Sequence, residues 1–403
     1  MSTPRLPVGV RIRYHREQAG RSQVAIAGLC GITERYLSLI ENGRKSPSPD
    51  LLGRLAAELG VTIAMLLSDD SVPDAVPAIT AAPSVAHALM GCSTPRSEPA
   101  ATAGDLRDRV ENAWRIWQTS QTRFTEAEAL LPTLIADVEH AGKVHRTGSD
   151  QQARREVSRC AADLYGLLRS YCRRTGRLDL SLMVADRAMR AAEDADDPIR
   201  IAAAQWNLGH VLLSHNDAGA VAHAREVAVL AVEDLQQAPA GHEKDAVAGA
   251  LELVAVVAEA RTRRWWDARA RLEGRAVPLA KRSGEGNAQH TVFGPTNVRL
   301  HAVSIEMLAG EASEGLHVAD KIDVSRMPSR ERQFTFGLEV TRLYDLRRED
   351  AAVLVHLLGL EELAPEDLAR SPLAVELVEG LLRRVRPTYR AQAVGLAQRL
   401  GLL

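Results

Sequence analysis

The chain has 403 residues, 46% of them hydrophobic and 25% charged, and a formal net charge of −2 at pH 7. That length is too great for one ordinary domain and suits two or three. The near-neutral balance excludes an indiscriminate polyanion binder. Four cysteines, with no CxxC and no histidine cluster beside them, exclude a disulfide framework and a structural zinc site.

The charge is unevenly placed. Residues 1–68 hold nine Arg/Lys against five acids, a net of +4, which leaves −6 for the remainder. A basic end on a mildly acidic body fits a nucleic-acid module joined to something else. The N-terminus has no continuous apolar stretch of leader type, and no run of about 18 apolar residues occurs. A soluble cytoplasmic protein is expected.

Within residues 8–67, two short helices are predicted around a tight turn. Ser22 can cap the first, with Gln23 and Val24 in its first turn. Ala25, Ile26 and Leu29 are expected to face inward, and small Ala27 and Gly28 to permit a close helix crossing. Gly31 allows the chain to reverse, Ile32 plugs the gap between the helices, and Thr33 caps the second. Tyr36, Leu37 and Ile40 would hold that helix to the domain. Glu34, Arg35, Ser38 and Leu39 are left facing outward. Leu51, Leu55, Leu59, Val61, Met65 and Leu66 supply further core, so about five helices can close a small domain.

Residues 69–104 are rich in Ala, Ser and Pro, with prolines at 73, 77, 83, 95 and 99. Repeated proline prevents a long helix, and few large apolar residues remain to anchor a core. This segment reads as a tether with one short helix near 84–90.

Residues 105–403 read as almost entirely helical. Apolar positions recur at helical spacing, as in Leu180, Met183, Val184 and Ala188. Short breaks punctuate the pattern, as in antiparallel helix pairs. The mid-pair turns fall at Thr122, Gly176, Asn216, Arg264, Gly310 and Arg348, at intervals of 54, 40, 48, 46 and 38 residues. Trp206-Asn207-Leu208-Gly209, followed by Asn216-Asp217 and Ala228, makes the best single unit. Its Leu-Gly would let the second helix pack closely, and Ala228 would keep the pair tight. Residues 383–403 would form a final capping helix. These pairs resemble tetratricopeptide repeats, whose ideal period is about 34 residues. The expected fold class is therefore all-α: a five-helix N-terminal domain (1–68), a linker (69–104) and a tetratricopeptide-like α-solenoid (105–403).

Several N-terminal motifs carry a second resemblance. They are Val10-Arg11-Ile12-Arg13, Ser22-Gln23-Val24-Ala25, Gly31-Ile32-Thr33, the run Tyr36-Leu37-Ser38-Leu39-Ile40-Glu41-Asn42-Gly43, Pro47-Ser48 and Leu59-Gly60-Val61. Together they resemble the Cro/phage-repressor (XRE) helix-turn-helix family. The resemblance implies that Gln23 orients on phosphate and DNA. It places the base-reading positions on Thr33, Glu34, Arg35, Ser38 and Leu39, and makes Glu41 a structural partner of Arg16.

Chemistry supports these roles unequally. Arg35 can make a bidentate contact to a guanine edge, worth roughly 1–3 kcal/mol of discrimination. Glu34 can accept from a cytosine amino group or orient Arg35. Leu39 stands where related repressors often have a polar reader, and suits a thymine methyl instead. Arg44 and Lys45, just past the second helix, suit phosphate. One such module buries only about 600–1,000 Å² on DNA. Tight binding therefore implies a homodimer on an inverted-repeat duplex operator, with half-sites about 34 Å apart.

A helix-turn-helix followed by a tetratricopeptide-like array resembles the peptide-responsive RRNPP regulators of Gram-positive bacteria. Phe293-Gly294-Pro295-Thr296-Asn297-Val298 and Pro372-Leu373-Ala374-Val375-Glu376-Leu377 resemble regulators of actinobacterial type, which names no ligand. The first resemblance implies an effector, a signalling peptide or a small molecule, in the groove of the array. In the repeat frame Trp206, Asn207 and His210 face that groove, as do Asn297 and His301, with Arg173 and Arg342 from neighbouring helices. Amides can pair with a peptide backbone, and arginine with a carboxylate. Asn207 and Asn297 also read as helix caps or bridges, and His210 and His301 as satisfied core residues. No nucleotide-binding, zinc-protease, hydrolase-elbow or calcium-loop motif occurs, so neither an enzyme nor a cofactor is expected. The rival reading is an interaction scaffold, or a repressor controlled by a protein partner with no small effector.

Overall fold

The structure, a computed structural model, describes residues 8–18, 21–59, 61, 63–67, 83–91, 99–146, 148–215, 217–325 and 327–403. The chain divides into two units, Met1–Ala78 and Ile79–Leu403. Every described element is helical or a turn. No described helix is long and apolar enough to cross a membrane. Most of the expected tether, 69–82 and 92–98, lies outside the described residues, as do Cys92 and Asn216.

The first unit has five helices: α1 (Val8–Gln18), α2 (Gln23–Leu29), α3 (Glu34–Glu41), α4 (Pro49–Leu59) and α5 (Ile63–Leu67). Ser22 and Thr33 cap α2 and α3, each hydroxyl accepting from the backbone N–H three residues on, at 3.2 Å. Gly31 supplies the reversal with φ +64°. Ile12, Ile26, Leu37, Ile40, Leu55 and Leu66 are fully buried around this pair.

Two sequence expectations fail here. Leu29 is 53% exposed, and the inward face of α2 is carried by Ile26, Ala27 and Cys30. A Cβ on Gly28 would meet nothing within 4 Å, whereas one on Gly9 would sit 1.8 Å from the Ile40 carbonyl oxygen. The close crossing is therefore α1 on α3, with Gly9 at the contact. Gly9→Ala is expected to destabilise this unit by about 1–3 kcal/mol through backbone overpacking. Gly28→Ala, in an open helical position, should be neutral or slightly stabilising. Amide hydrogen exchange of α1 and α3 in the two variants checks the contrast.

The second unit opens with α6 (Pro83–Leu89), near the short helix expected at 84–90. Val85 and Leu89 are fully buried in the core formed with the helices that follow, so this part of the presumed tether belongs to the second unit. The hairpins come next. They are α7 (Ala103–Thr119) with α8 (Arg123–Arg146), α9 (Gln151–Arg174) with α10 (Leu178–Asp194), and α11 (Pro198–Leu212) with α12 (Ala218–Asp234). After α13 (His242–Arg261) the return stroke is split into α14 (Trp265–Arg271) and α15 (Val277–Ser283), joined by one wider turn. Then come α16 (Pro295–Ala309) with α17 (Ala312–Ala319), and α18 (Arg330–Leu346) with α19 (Asp350–Leu363). Short α20 (Pro365–Arg370) leads to α21 (Pro372–Arg384) and α22 (Pro387–Arg399). The expected final helix is thus shorter than 383–403: Arg383 and Arg384 end α21, Val385 and Arg386 are extended, and Pro387 starts α22.

Thr122, Gly176, Arg264, Gly310 and Arg348 all fall in the turns between paired helices. Ala228 is buried as expected. Gly209 does allow a close approach, but to Val254 of α13, where a Cβ would lie 2.8 Å from Cγ1. The glycine thus serves the next hairpin and not its own partner helix. Gly249 does the same for Phe293, whose ring would meet a Cβ at 2.0 Å.

The hairpins bend until the first meets the late ones. Arg330 donates to the Thr119 carbonyl at 2.9 Å and to the Leu363 carbonyl at 2.8 Å. Glu366 accepts from the Phe124 N–H at 2.7 Å, satisfying an orphan donor at the start of α8. Arg123, 1% exposed, donates through Nε to Asp367 at 2.9 Å and through Nη1 to Glu331 at 3.1 Å. Nη2 of Arg123 closes a second bond to Asp367. The guanidinium also lies 4.2 Å from the Trp117 ring centroid. The array therefore closes on itself around an inner cavity.

Candidate functional sites

The first unit presents α3 as a fixed ridge. Leu37 and Ile40 anchor its inner side. Its C-terminal end is locked by Glu41, 2% exposed, which accepts from Arg16 Nε at 2.7 Å and Arg16 Nη2 at 2.9 Å. Gln23 Nε2 donates to the same carboxylate at 2.6 Å. The Gln23 amide keeps a second hydrogen for an outside acceptor. Arg16 Nη1 reaches the Arg21 carbonyl at 2.9 Å, tying the chain before α2 to the same knot.

On the outer side, Thr33, Glu34 and Arg35 are exposed, and Ser38 and Leu39 are half-buried. Arg35 has no hydrogen-bond or ion-pair partner among the described residues. Ser38 is engaged by Asn42, whose amide donates to its carbonyl at 2.8 Å. Arg44 and Lys45 are exposed in the turn after α3, with the Lys45 ammonium 5.1 Å from the Tyr36 ring centroid. A short helix held from behind thus offers a guanidinium, a carboxylate, a hydroxyl and an apolar group, with two cations at its end.

Residues 12–66 match the family model HTH_3, Helix-turn-helix. This segment is a helix-turn-helix. Across the longer chain, similarity to solved structures is found at low identity. The apo form of ComR from S. thermophilus is 12% identical, with 93% of this chain and 98% of that one covered and a TM-score of 0.35. PlcR from Bacillus thuringiensis, in complex with the peptide PapR7 and DNA, is 11% identical over 88% and 98%, with a TM-score of 0.27. Apo ComR from Streptococcus vestibularis is 13% identical over 98% of each chain, with a TM-score of 0.28. Comparison with curated proteins gives no match.

The second unit's cavity, about 250 Å³, lies between the first helices of its hairpins. Arg173, Trp206, His210, Asn297 and His301 all line it. Asn207 and Arg342 do not. Asn207 lies beneath the wall, where its Oδ1 accepts from Arg169 Nε at 2.7 Å and its Nδ2 donates to the Ala203 carbonyl at 3.1 Å. Arg342 is held by Asp345 at 3.0 Å and Glu376 at 3.2 Å. The cavity also contains Arg169, Arg174, Arg261, Glu331, Arg332 and Glu339, which the repeat frame missed. The pattern was visible: Arg169 and Arg173 are one helical turn apart, as are Glu331, Thr335 and Glu339.

Glu331 is the acidic centre. It pairs with Arg174 (2.5 Å), Arg123 (3.1 Å) and Arg173 (3.5 Å). Burial opposes its ionisation, yet the charges of Arg174, Arg123 and Arg173 hold it well below the usual carboxylate range. Glu339 differs. Burial pushes it up to about 7, although Ser304 Oγ lies 2.8 and 2.7 Å from its two oxygens. His301 is lowered to about 3 by burial and by Arg332. Burial first, then Arg169, Arg173 and Arg332, pushes His210 well below its ordinary value.

One edge of the cavity is a strained loop. Gln289, His290 and Val292 have φ of 48°, 59° and 53°. A β-branched residue in that region is a costly outlier held by its surroundings. Asn287 Oδ1 accepts from the Val292 N–H at 3.2 Å, and Asn297 Nδ2 donates to the Val292 carbonyl at 2.9 Å. Gln118 Nε2 donates to the His290 carbonyl at 3.2 Å. The His290 ring stacks on Trp114 with centroids 4.2 Å apart and planes 6° apart. Trp114 and His290 also border an outer polar cleft of about 470 Å³. The stacked pair therefore stands between the cleft and the inner cavity.

Proposed function

We propose that the chain is a sequence-specific DNA-binding transcriptional regulator. Its helix-turn-helix, within residues 1–68, reads duplex DNA through Thr33, Glu34, Arg35, Ser38 and Leu39. Gln23, Arg44 and Lys45 serve the phosphates. The helical array of 105–403 is the dimerisation and effector domain, and its cavity is the effector site. The supporting observation is the unpartnered, exposed Arg35 on a helix braced from behind by the buried Arg16–Glu41–Gln23 knot. The braced helix can present that guanidinium to a base edge without reordering its own backbone.

Arg35→Ala is expected to cost about 1–3 kcal/mol on the specific operator and little on random duplex. Lys45→Ala should weaken both and reduce the salt slope by about one. Titrations of the full chain on a site selected from random duplex, at several salt concentrations, make the comparison. Equal losses on specific and random DNA from Arg35→Ala would remove it as a base reader. Dimerisation is checked by sedimentation of the full chain: a monomer at micromolar concentration counts against the two-half-site arrangement.

A further inference from the structure

The inner cavity is short of negative charge. Arg169 donates to the amide oxygen of Asn207, and Arg261 to the Leu213 carbonyl. Arg332 donates to Asn297 Oδ1 at 2.5 Å and lies 3.4 Å from His301 Nδ1. None of these three guanidinium groups forms an ion pair among the described residues, and a guanidinium stays protonated in a protein. Arg173 reaches only Glu331, at 3.5 Å, a carboxylate already shared with Arg174 and Arg123. The Nε atoms of Arg173 and Arg332 are buried without any hydrogen-bond partner. The remaining wall carboxylate, Glu339, faces Ser304, and burial pushes it up to about 7.

Buried charge is normally paired, and buried donors are normally satisfied. Here the unmet demand has one sign. Arg169, Arg173 and Arg332 all line the same cavity, as does His210. Apolar wall is also present: Trp206, Leu253, Val254 and Val257 line the same space. At about 250 Å³ the cavity falls just under the range of about 300–1,000 Å³ common for drug-sized ligands. A cavity of that size suits a compact molecule.

We propose that this cavity binds a compact organic anion, a carboxylate or a phosphate ester with a small apolar body. Its charged head pairs with Arg169, Arg173 and Arg332, and its body lies against Trp206. The proposal rests on the reading of the second unit as an effector domain and narrows the effector to one chemical class. Bound there, the anion completes the hydrogen bonding of Arg173 and Arg332. It also joins α9, α11 and α18, which carry these residues, through a single set of contacts.

Benzoate and phenyl phosphate are suitable probes, with neutral benzamide as the control, in calorimetry and thermal unfolding of the full chain. One or both anions should bind saturably and raise the unfolding temperature, and benzamide should not. The tighter of the two names the head group. Arg173→Gln should weaken binding about tenfold or more, since a charge-assisted contact is lost. Arg173→Lys should recover part of it, and Arg190→Gln on the exposed face of α10 should change nothing. If Arg173→Gln does not fold, Arg332→Gln serves the same comparison. Failure of both anions to bind, equal binding of benzamide, or anion binding indifferent to the Arg173 and Arg332 variants would overturn the proposal. Operator titrations on the same samples separate it from the regulator reading. Anion binding by a chain that ignores operator DNA would overturn that reading and support this one.

Discussion

Arg123→Ala is expected to destabilise the second unit by about 3–5 kcal/mol, the cost of leaving one member of a buried ion pair without its partner. Asp367 is 4% exposed and takes two bonds from Arg123. Without the guanidinium it keeps no direct ion pair among the described residues, only the more distant charge of Arg174. Glu331 keeps Arg174 and Arg173, so the penalty falls on Asp367 and on the packing over Trp117. The double variant Arg123→Met/Asp367→Leu should recover most of the loss, because matched apolar replacement removes both desolvation costs. All five tryptophans of the chain fall between 114 and 266, so tryptophan fluorescence in urea reports on this unit alone. A loss below about 1 kcal/mol in Arg123→Ala would mean that the closure contributes no more than an exposed pair. The same variant should open the array between the α7–α8 turn and α18–α20. Anion binding in the cavity should then fall together with stability.

In the smaller unit the corresponding substitution is Glu41→Ala. Its carboxylate receives three hydrogen bonds, two from Arg16 and one from Gln23. Removal leaves the Arg16 guanidinium, 8% exposed, with the Arg21 carbonyl and a 3.5 Å contact to exposed Glu17. The expected cost is again about 3–5 kcal/mol, a large share of the stability available to a module of this size. Amide exchange of α1, α2 and α3 should accelerate by roughly two to four orders of magnitude. Glu41→Gln, which keeps an acceptor, should lose less. Operator and random-duplex affinities should fall together in Glu41→Ala, unlike the selective loss expected for Arg35→Ala, because the whole ridge is released. Unchanged exchange in α3 would show that Leu37 and Ile40 alone hold the helix.

Much of the architecture is written in local pattern. The capping hydroxyls of Ser22 and Thr33, the turn at Gly31 and the apolar positions of α3 depend only on residues within a few places of each other. The same is true of the hairpin turns at Gly176, Arg264, Gly310 and Arg348. Helical period and punctuation are properties of short segments, and they survive into the fold unchanged.

The facing of a very short helix is less secure. Over the seven residues of α2 the apolar set fits two adjacent orientations, and contact with α3 and α4 selects the one that buries Cys30 and exposes Leu29. Small residues mark a possible close approach without naming the partner. Gly9 and Gly28 are alike in sequence, and only the path of α3 across α1 makes one of them indispensable. Side-chain reach decides the cavity in the same way. Asn207 was legible as an inward polar group, yet it bends under the wall to hold Arg169, and the long guanidinium occupies the space instead.

The sequence alone therefore determined the helical class, the hairpin boundaries and the helix-turn-helix, since these follow from interactions close along the chain. Tertiary structure alone decided the closure of the array and the cationic cavity inside it. Arg123 and Asp367 are 244 residues apart, and nothing in the pattern around either one specifies the other. Such a pair forms only after every intervening hairpin has added its small rotation, which summed geometry controls and local composition does not.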